Sequence, residues 1–230
     1  MKRMGFLSIA LATVVAVGCN GNRNDIAKTA TAGDPAPVGT AGEAASKVSS
    51  GDKDFVNDLA VAGMAEVELG RMATQLAGSA EVKKFGQMMI DEHTAAGDKL
   101  KAVASQYNIA VPIAVDEKHA DLRDKLAKLR GADFDREYMA AMVDGHETVA
   151  GKLESRIDKT DLGKWKTEAA DRMSGKKVVE KTKAVAVRPE KSDDAATMSL
   201  NEWAAEAYPV VQAHLERAKV LNKGQKRMTH

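Results

Sequence analysis

Four side chains with the chemistry to hold a metal ion each interrupt the apolar face of a different predicted helix. They are one carboxylate and three imidazoles: Glu66, His93, His146 and His214. Each lies about 12 to 15 residues into its helix, roughly 20 Å from the helix start at 1.5 Å per residue. Midpoints of antiparallel helices of similar length share one height, so we expect the four side chains to meet in one layer. One Glu and three His suit zinc, iron, manganese or copper.

The same layer also has a purely structural explanation, in which each buried polar group has a hydrogen-bond partner and serves only to fix helix register. Any such group left without a partner would cost about 1–3 kcal/mol. Carboxylates lie within two residues of every one of the three histidines, and one or two of them could accept an imidazole N–H. These are Asp91, Glu92, Asp144, Glu147 and Glu216. Metal binding and helix register therefore stand as two hypotheses.

Several other chemistries are disfavoured by the residues present. A di-iron carboxylate centre needs Glu three residues before His, but Ile90, Val143 and Val211 occupy those positions. The sequence contains no phosphate loop, nucleophile elbow or HExxH zinc-protease motif. Six methionines are predicted to fill the core, with a Met/His copper site as the alternative: Met64, Met72, Met88, Met89, Met139 and Met142.

Apolar spacing predicts four long helices that would carry these side chains: 52–77, 79–107, a third from about 133, and 199–224. Asp52 and Ser79 are predicted N-caps, and Ser199 with Glu202 forms a predicted capping box. Pro209 falls inside the fourth helix and should kink it. The stretch from 108 to 132, with a short amphipathic piece at 116–129, has the length that a crossover needs.

The segment 158–198 is predicted to be a basic insertion. Between Lys159 and Lys191 ten Lys or Arg face five acidic residues. A short helix over 162–173 and a strand-like pattern over 178–187 are expected, and the charges favour a solvated surface over a binding patch. A formal net charge of +1 and 4% aromatic residues give no indication of a nucleic-acid surface.

The N-terminus is typical of an exported protein. Basic Lys2 and Arg3 precede an apolar run that ends at Gly18, which is a secretory signal too short for an ordinary membrane-spanning helix. The ending Ala-Val-Gly-Cys at 16–19 resembles a bacterial lipobox, which implies that Cys19, the only cysteine, is lipidated. Asn20 after it implies sorting to the outer membrane. A plain secretory signal that contains a cysteine is the alternative.

The composition then divides the chain into segments. After the signal peptide at 1–18, residues 19–51 are rich in Gly, Ala, Thr and Ser and predict a flexible tether. Residues 52–224 form the predicted bundle, including the insertion, and 225–230 form a C-terminal tail.

Several short motifs occur in an order and spacing that resemble the bacterial envelope proteins grouped as domain of unknown function 4142. They are the AEVELG run at 65–70, VKKF at 82–85 before Met89 and His93, Phe134 and Asp135 before Tyr138, Met142 and His146, and Trp203 and Ala204 before Pro209 and His214. The resemblance spans about 55–221. It implies an all-α, ferritin-like four-helix bundle, exported and often lipid-anchored, with no established activity. Family members usually join helices three and four more briefly, so the insertion departs from the pattern.

Together these features predict a lipid-anchored envelope protein whose bundle binds a divalent transition metal, with redox or metal-storage capacity. The alternative is a non-enzymatic envelope module whose polar layer only sets helix register. The expected partner is the membrane, through the anchor on Cys19, and no nucleic-acid partner is expected. The sequence does not decide whether the protein is an enzyme.

Overall fold

The computed structural model describes residues 48–173 and 186–227, and within them the regular structure is entirely helical. There are six helices in chain order: α1 Ser50–Leu76, α2 Ala80–Gln106, α3 Glu117–Leu126, α4 Gly131–Glu154, α5 Lys159–Met173 and α6 Ala195–Arg227. The predicted all-α helical bundle is confirmed. The signal peptide, Cys19, most of the tether and residues 178–185 of the strand-like stretch lie outside the described residues.

Hydrogen-bonding side chains determine where the first two helices begin. The Ser79 hydroxyl accepts hydrogen bonds from the backbone N–H groups of Glu81 and Val82, as predicted for the N-cap of α2. The predicted Asp52 cap is wrong, because Ser49 caps α1 and accepts from the Asp52 N–H at 3.0 Å. Asp52 lies in the first turn instead and is almost fully buried.

The start of α6 also differs from the prediction. The helix begins four residues before Ser199, where the Asp194 carboxylate accepts a hydrogen bond from the Thr197 N–H at 2.8 Å. The Ser199 hydroxyl lies 2.9 Å from the Tyr107 hydroxyl and so joins α6 to the end of α2. The helix continues beyond Gly224 to Arg227, and Pro209 lies within it as predicted.

The four long helices form two closely packed pairs, α1 with α2 and α4 with α6. Gly131, the first residue of α4, lies beside Ala77 at the end of α1. The chain from 107 to 130, which includes α3, therefore joins opposite ends of the bundle. At the far end the Thr197 hydroxyl of α6 donates to Asp52 of α1 at 2.8 Å, so these two helices begin together.

The α1–α2 pair is in closest contact at two glycines. A Cβ on Gly70 would lie 2.7 Å from the Gly86 carbonyl oxygen, and a Cβ on Gly86 would lie 2.7 Å from the Ala73 Cβ. Such distances are too short for any side chain larger than hydrogen. Glycine therefore allows the two backbones to touch one turn after Glu66 and two turns before His93.

None of the helices within 48–173 and 186–227 combines the length and the apolar composition needed to cross a bilayer.

Candidate metal centre

The four predicted side chains lie between two apolar clusters that fill the two halves of the bundle. One cluster contains Phe55, Leu100, Leu153 and Trp203, and the other contains Leu69, Met89, Met139 and Leu221. In every long helix the polar residue comes between the members of one cluster and the members of the other. Glu66, His93, His146 and His214 are 5%, 9%, 0% and 2% exposed.

The three imidazoles face one another across the bundle axis. Their ring centroids are 5.6 Å apart for His93 and His146, 5.3 Å for His93 and His214, and 5.4 Å for His146 and His214. Each ring offers one nitrogen to the group, and these three nitrogens lie within 4.8 Å of one another. Because each ring belongs to a different helix, the arrangement depends on the packing of α2, α4 and α6.

Glu66 contacts two of the rings at once. One carboxylate oxygen lies 2.9 Å from Nδ1 of His93 and the other lies 3.1 Å from Nδ1 of His146. A carboxylate can only accept hydrogen bonds, so both Nδ1 atoms carry hydrogen and both Nε2 atoms are free to bind elsewhere. The Met142 carbonyl lies 2.8 Å from Nδ1 of His146 and is a second acceptor for the same N–H.

His214 contacts a carboxylate through its other ring nitrogen, Nε2. Its Nε2 lies 2.9 Å from the Glu92 carboxylate, which is half exposed at the surface of α2. Nε2 therefore donates to Glu92, and Nδ1 is the nitrogen that remains. Glu92 was one of five carboxylates proposed from the sequence as possible imidazole partners, and it is the one that contacts His214.

Each ring thus keeps one buried nitrogen without a hydrogen-bond partner in the described part of the chain: Nε2 of His93, Nε2 of His146 and Nδ1 of His214. Buried polar atoms are nearly always hydrogen-bonded in native proteins. Three exceptions that meet in one layer call for a common explanation, and a cation bound by the three lone pairs provides one.

The pKa values of the four side chains are shifted in different directions. Burial raises the pKa of the Glu66 carboxyl, but the imidazoles of His93 and His146 outweigh it and lower that pKa to about 2. Burial lowers the pKa values of His146 and His214 below the usual value for imidazole. Burial has the same effect on His93, yet the negative charge of Glu66 outweighs it, so the pKa of His93 is raised.

Three imidazoles match the donor set of many catalytic zinc sites. A metal binds the neutral ring, so binding at His93 would displace the proton that Glu66 favours there. A carboxylate that accepts the other N–H of a ligating histidine is also usual at metal centres, where it orients the ring. Zinc–nitrogen distances of about 2.0–2.1 Å hold two ligand nitrogens less than roughly 4.2 Å apart.

The sequence-predicted residues divide by role in this geometry. All four lie in one layer, where Glu66 contacts Nδ1 of His93 and Nδ1 of His146, and each histidine keeps one unpartnered nitrogen. Direct coordination by Glu66 stays a prediction. His119 lies apart on α3, where its Nδ1 contacts Asp116. His230 lies outside the described residues.

One buried residue that holds two helices together was named in the sequence only as part of the family motif, with no structural role predicted for it. The Asp135 carboxylate accepts hydrogen bonds from the backbone N–H groups of Gly78 and Ser79, at 3.0 and 2.8 Å. It thereby ties α4 to the turn between α1 and α2. An acidic residue directly after the apolar Phe134, in the first turns of a helix, was the signal that could have indicated it.

Comparison with known proteins gives one family. The family model for Domain of unknown function (DUF4142) matches residues 38–174, which include Glu66, His93 and His146 but end before α6 and His214. Neither the curated proteins nor the solved structures contain a match to the chain.

Proposed function

Because the chain belongs to the domain of unknown function 4142 family, whose description names no activity, we propose a function from the geometry of the site. The bundle binds one divalent transition-metal ion through Nε2 of His93, Nε2 of His146 and Nδ1 of His214. Glu66 and Glu92 accept the remaining N–H groups and hold the three rings in place. The protein is then a metal-binding helical bundle.

Two observations support this proposal: each of the three buried imidazoles keeps one unpartnered nitrogen, and one nitrogen from each ring lies within 4.8 Å of the others. A layer that only fixed helix register would be expected to pair both nitrogens of each ring. Leaving three nitrogens unpaired would cost about 1–3 kcal/mol for each. A bound metal removes this cost, because it uses the same three lone pairs.

The donor set also narrows the choice of ion. Imidazole suits zinc, copper, iron and nickel, whereas manganese prefers carboxylate, carbonyl and water oxygens. With Glu66 engaged by two N–H groups, the site offers nitrogen donors from three helices. Zinc and copper are therefore the first ions to test, ahead of iron and manganese.

The test is a metal titration of the protein purified without an affinity tag. We expect one zinc or copper ion per chain by calorimetry, and the same stoichiometry by elemental analysis after dialysis. The double variant His93→Ala with His146→Ala should bind less than a tenth as much metal at the same free concentration. His119→Ala is the matched control, because this histidine lies on α3 outside the layer, and it should bind as the wild type does.

Metal binding that is substoichiometric in the wild type, or unchanged in the double variant, would refute the proposal. The register hypothesis would then be the better explanation. It gains some support from the hydrogen bonds that Glu66, Glu92 and the Met142 carbonyl already provide.

We also propose that the bundle is exported and anchored by lipid on Cys19, at the periplasmic side of the outer membrane. The support is the basic, apolar and lipobox-like sequence that ends at this cysteine. Mass spectrometry of the mature protein should find an N-terminus at Cys19 that carries acyl chains, and Cys19→Ser should abolish the modification. An unmodified N-terminus, or one at another residue, would refute lipidation.

A further inference from the structure

A large groove leads from the surface to the histidine layer. It has a volume of about 780 Å³ and is lined mainly by α1, α2, α6 and residues 111–114 of the connection after α2. This volume is within the roughly 300–1,000 Å³ of ordinary small-molecule sites. Glu66, His93 and His214 are among its lining residues, so the groove borders the metal-binding layer.

The walls of the groove are mostly apolar. Leu59, Leu100, Val111, Trp203 and Val211 line it. On α1 the wall runs from Leu59 past Glu66 to Arg71, and the part from Leu59 to Glu66 spans roughly 10 Å at the helical rise per residue. An extended or aromatic molecule of that length would lie against apolar surface over nearly its whole body.

Apolar side chains also extend to the mouth of the groove. In the described parts of the chain three large apolar side chains are markedly exposed, and two of them, Ile113 at 98% and Val210 at 41%, line this groove. Charged groups at the rim compensate one another, as Lys99 and Glu206 do at 2.9 Å. The mouth of the groove therefore offers apolar surface without an excess of positive or negative charge.

The charges at the inner end of the groove, beside the histidine layer, determine which chemical group of a ligand can bind there. A divalent ion on three neutral imidazoles carries two positive charges, and the carboxylates of Glu66 and Glu92 supply two negative ones beside it. The centre as a whole is neutral. A further anionic ligand would be repelled by both carboxylates, whereas an uncharged nitrogen or oxygen donor would not be repelled.

We propose that this groove binds a small, uncharged and mainly apolar molecule whose single nitrogen or oxygen donor completes the coordination of the metal. The inference rests on the proposed metal site and adds the class of its ligand. The groove would select a molecule with an apolar body of up to about 10 Å that is joined to one neutral donor atom.

The test uses the full mature protein loaded with cobalt, whose visible spectrum reports its ligands, and phenylimidazole as the probe. At about pH 8 the probe is uncharged. We expect the probe to change the cobalt spectrum and to bind at least about tenfold more tightly than imidazole, toluene or benzoate, since burial of a phenyl group contributes that much. These controls represent the donor alone, the apolar body alone and an anionic ligand of similar size.

Substitutions of glycine test whether the groove is the binding site. Gly63 lines the groove, and a Cβ there meets no atom within 4 Å, so Gly63→Phe should place its ring in the groove without a clash at the Cβ. It should weaken phenylimidazole binding about tenfold while cobalt affinity stays unchanged. Gly151→Phe is the matched control, because Gly151 also has open space but does not line the groove, and it should bind the probe normally.

The outcomes separate the two proposals. A protein that binds no cobalt refutes the metal site, and the ligand inference fails with it. A cobalt-loaded protein that ignores phenylimidazole, or binds it equally without metal, refutes the ligand inference alone. Tighter binding of benzoate overturns the assignment of an uncharged donor, and normal probe binding by Gly63→Phe overturns the groove as the site.

Discussion

At the scale of single residues, the decisive feature is which nitrogen of each imidazole is already occupied. Glu66 contacts the Nδ1–H of His93, the Met142 carbonyl accepts the Nδ1–H of His146 beside Glu66, and Glu92 accepts the Nε2–H of His214. These acceptors determine tautomers as well as positions, and each ring keeps one nitrogen without a partner. Replacing a carboxylate should disturb metal binding without removing a ligand.

Glu66→Gln tests this role. The amide has one acceptor and one donor end, so it can satisfy only one of the two imidazole N–H groups. We expect metal affinity to fall about 10- to 100-fold, as is usual when the acceptor of a ligating histidine is lost, with helix content by circular dichroism unchanged.

Glu68→Gln is the control for that variant. Glu68 lies on the same helix, is half exposed and contacts Arg123 at 3.7 Å, so its substitution should leave metal affinity unchanged. Complete loss of binding in Glu66→Gln would instead identify Glu66 as a direct ligand, and wild-type affinity would show that it does not control the rings.

At the scale of helices, the crossing of α1 and α2 at Gly70 and Gly86 sets the spacing of the layer. No Cβ fits at either position, because each would lie within 3 Å of the facing helix. The contact is one turn from Glu66, so a change in helix separation there moves the carboxylate relative to His93.

Gly86→Ala should therefore push the two helices apart. We expect the free energy of unfolding to fall by about 1–3 kcal/mol through overpacking, measured by denaturant titration. Metal binding should also weaken, measured by calorimetry. Gly97→Ala on the same helix has open space around its Cβ. It should be neutral or stabilising by up to about 1 kcal/mol, because alanine favours helix over glycine. Equal stability of the two variants would contradict the close crossing.

At the scale of the whole molecule, one end of the bundle is held together by Asp52. Its buried carboxylate accepts hydrogen bonds from Ser49, from Arg156 at 2.5 Å and from Thr197 at 2.8 Å, which links the starts of α1 and α6 to the chain after α4. Burial raises the pKa of Asp52, but these donors outweigh it and hold the pKa below 3.8.

This contact should make stability depend on pH in a defined direction. Well above the unfolded Asp pKa of about 3.9, the carboxylate is ionised in both the folded and the unfolded protein and the contact contributes fully. As pH falls through that value, the unfolded chain gains the proton first, and the contribution is lost as pH falls on through the lower folded pKa. Asp52→Asn should cost about 1–3 kcal/mol near neutral pH, and the difference from wild type should shrink as the solution is acidified through this range.

The exposed Asp54→Asn is the control for this variant, and it should unfold like the wild type at every pH. A difference between wild type and Asp52→Asn that stays constant on acidification would show that the carboxylate charge does not stabilise this end of the bundle.

The sequence predicted the helices and the shared layer well because both follow from local periodicity. The alternation of apolar residues placed Glu66, His93, His146 and His214 at matched depth without any knowledge of the loops. It could not predict which atoms of those side chains face one another, since ring orientation depends on the packing of neighbouring helices. The helix starts at Ser49 and Asp194 were missed because several residues nearby have the same capping chemistry.

The three histidines come from three different helices, and this has a consequence for when and where a metal is acquired. An unfolded chain has no local pair of these imidazoles that could hold an ion. Binding is therefore coupled to completion of the fold, and α6, which supplies the third ring, is synthesised last. If the proposed site binds a metal, the compartment in which the chain folds would determine, through the metals available there, which ion it takes up.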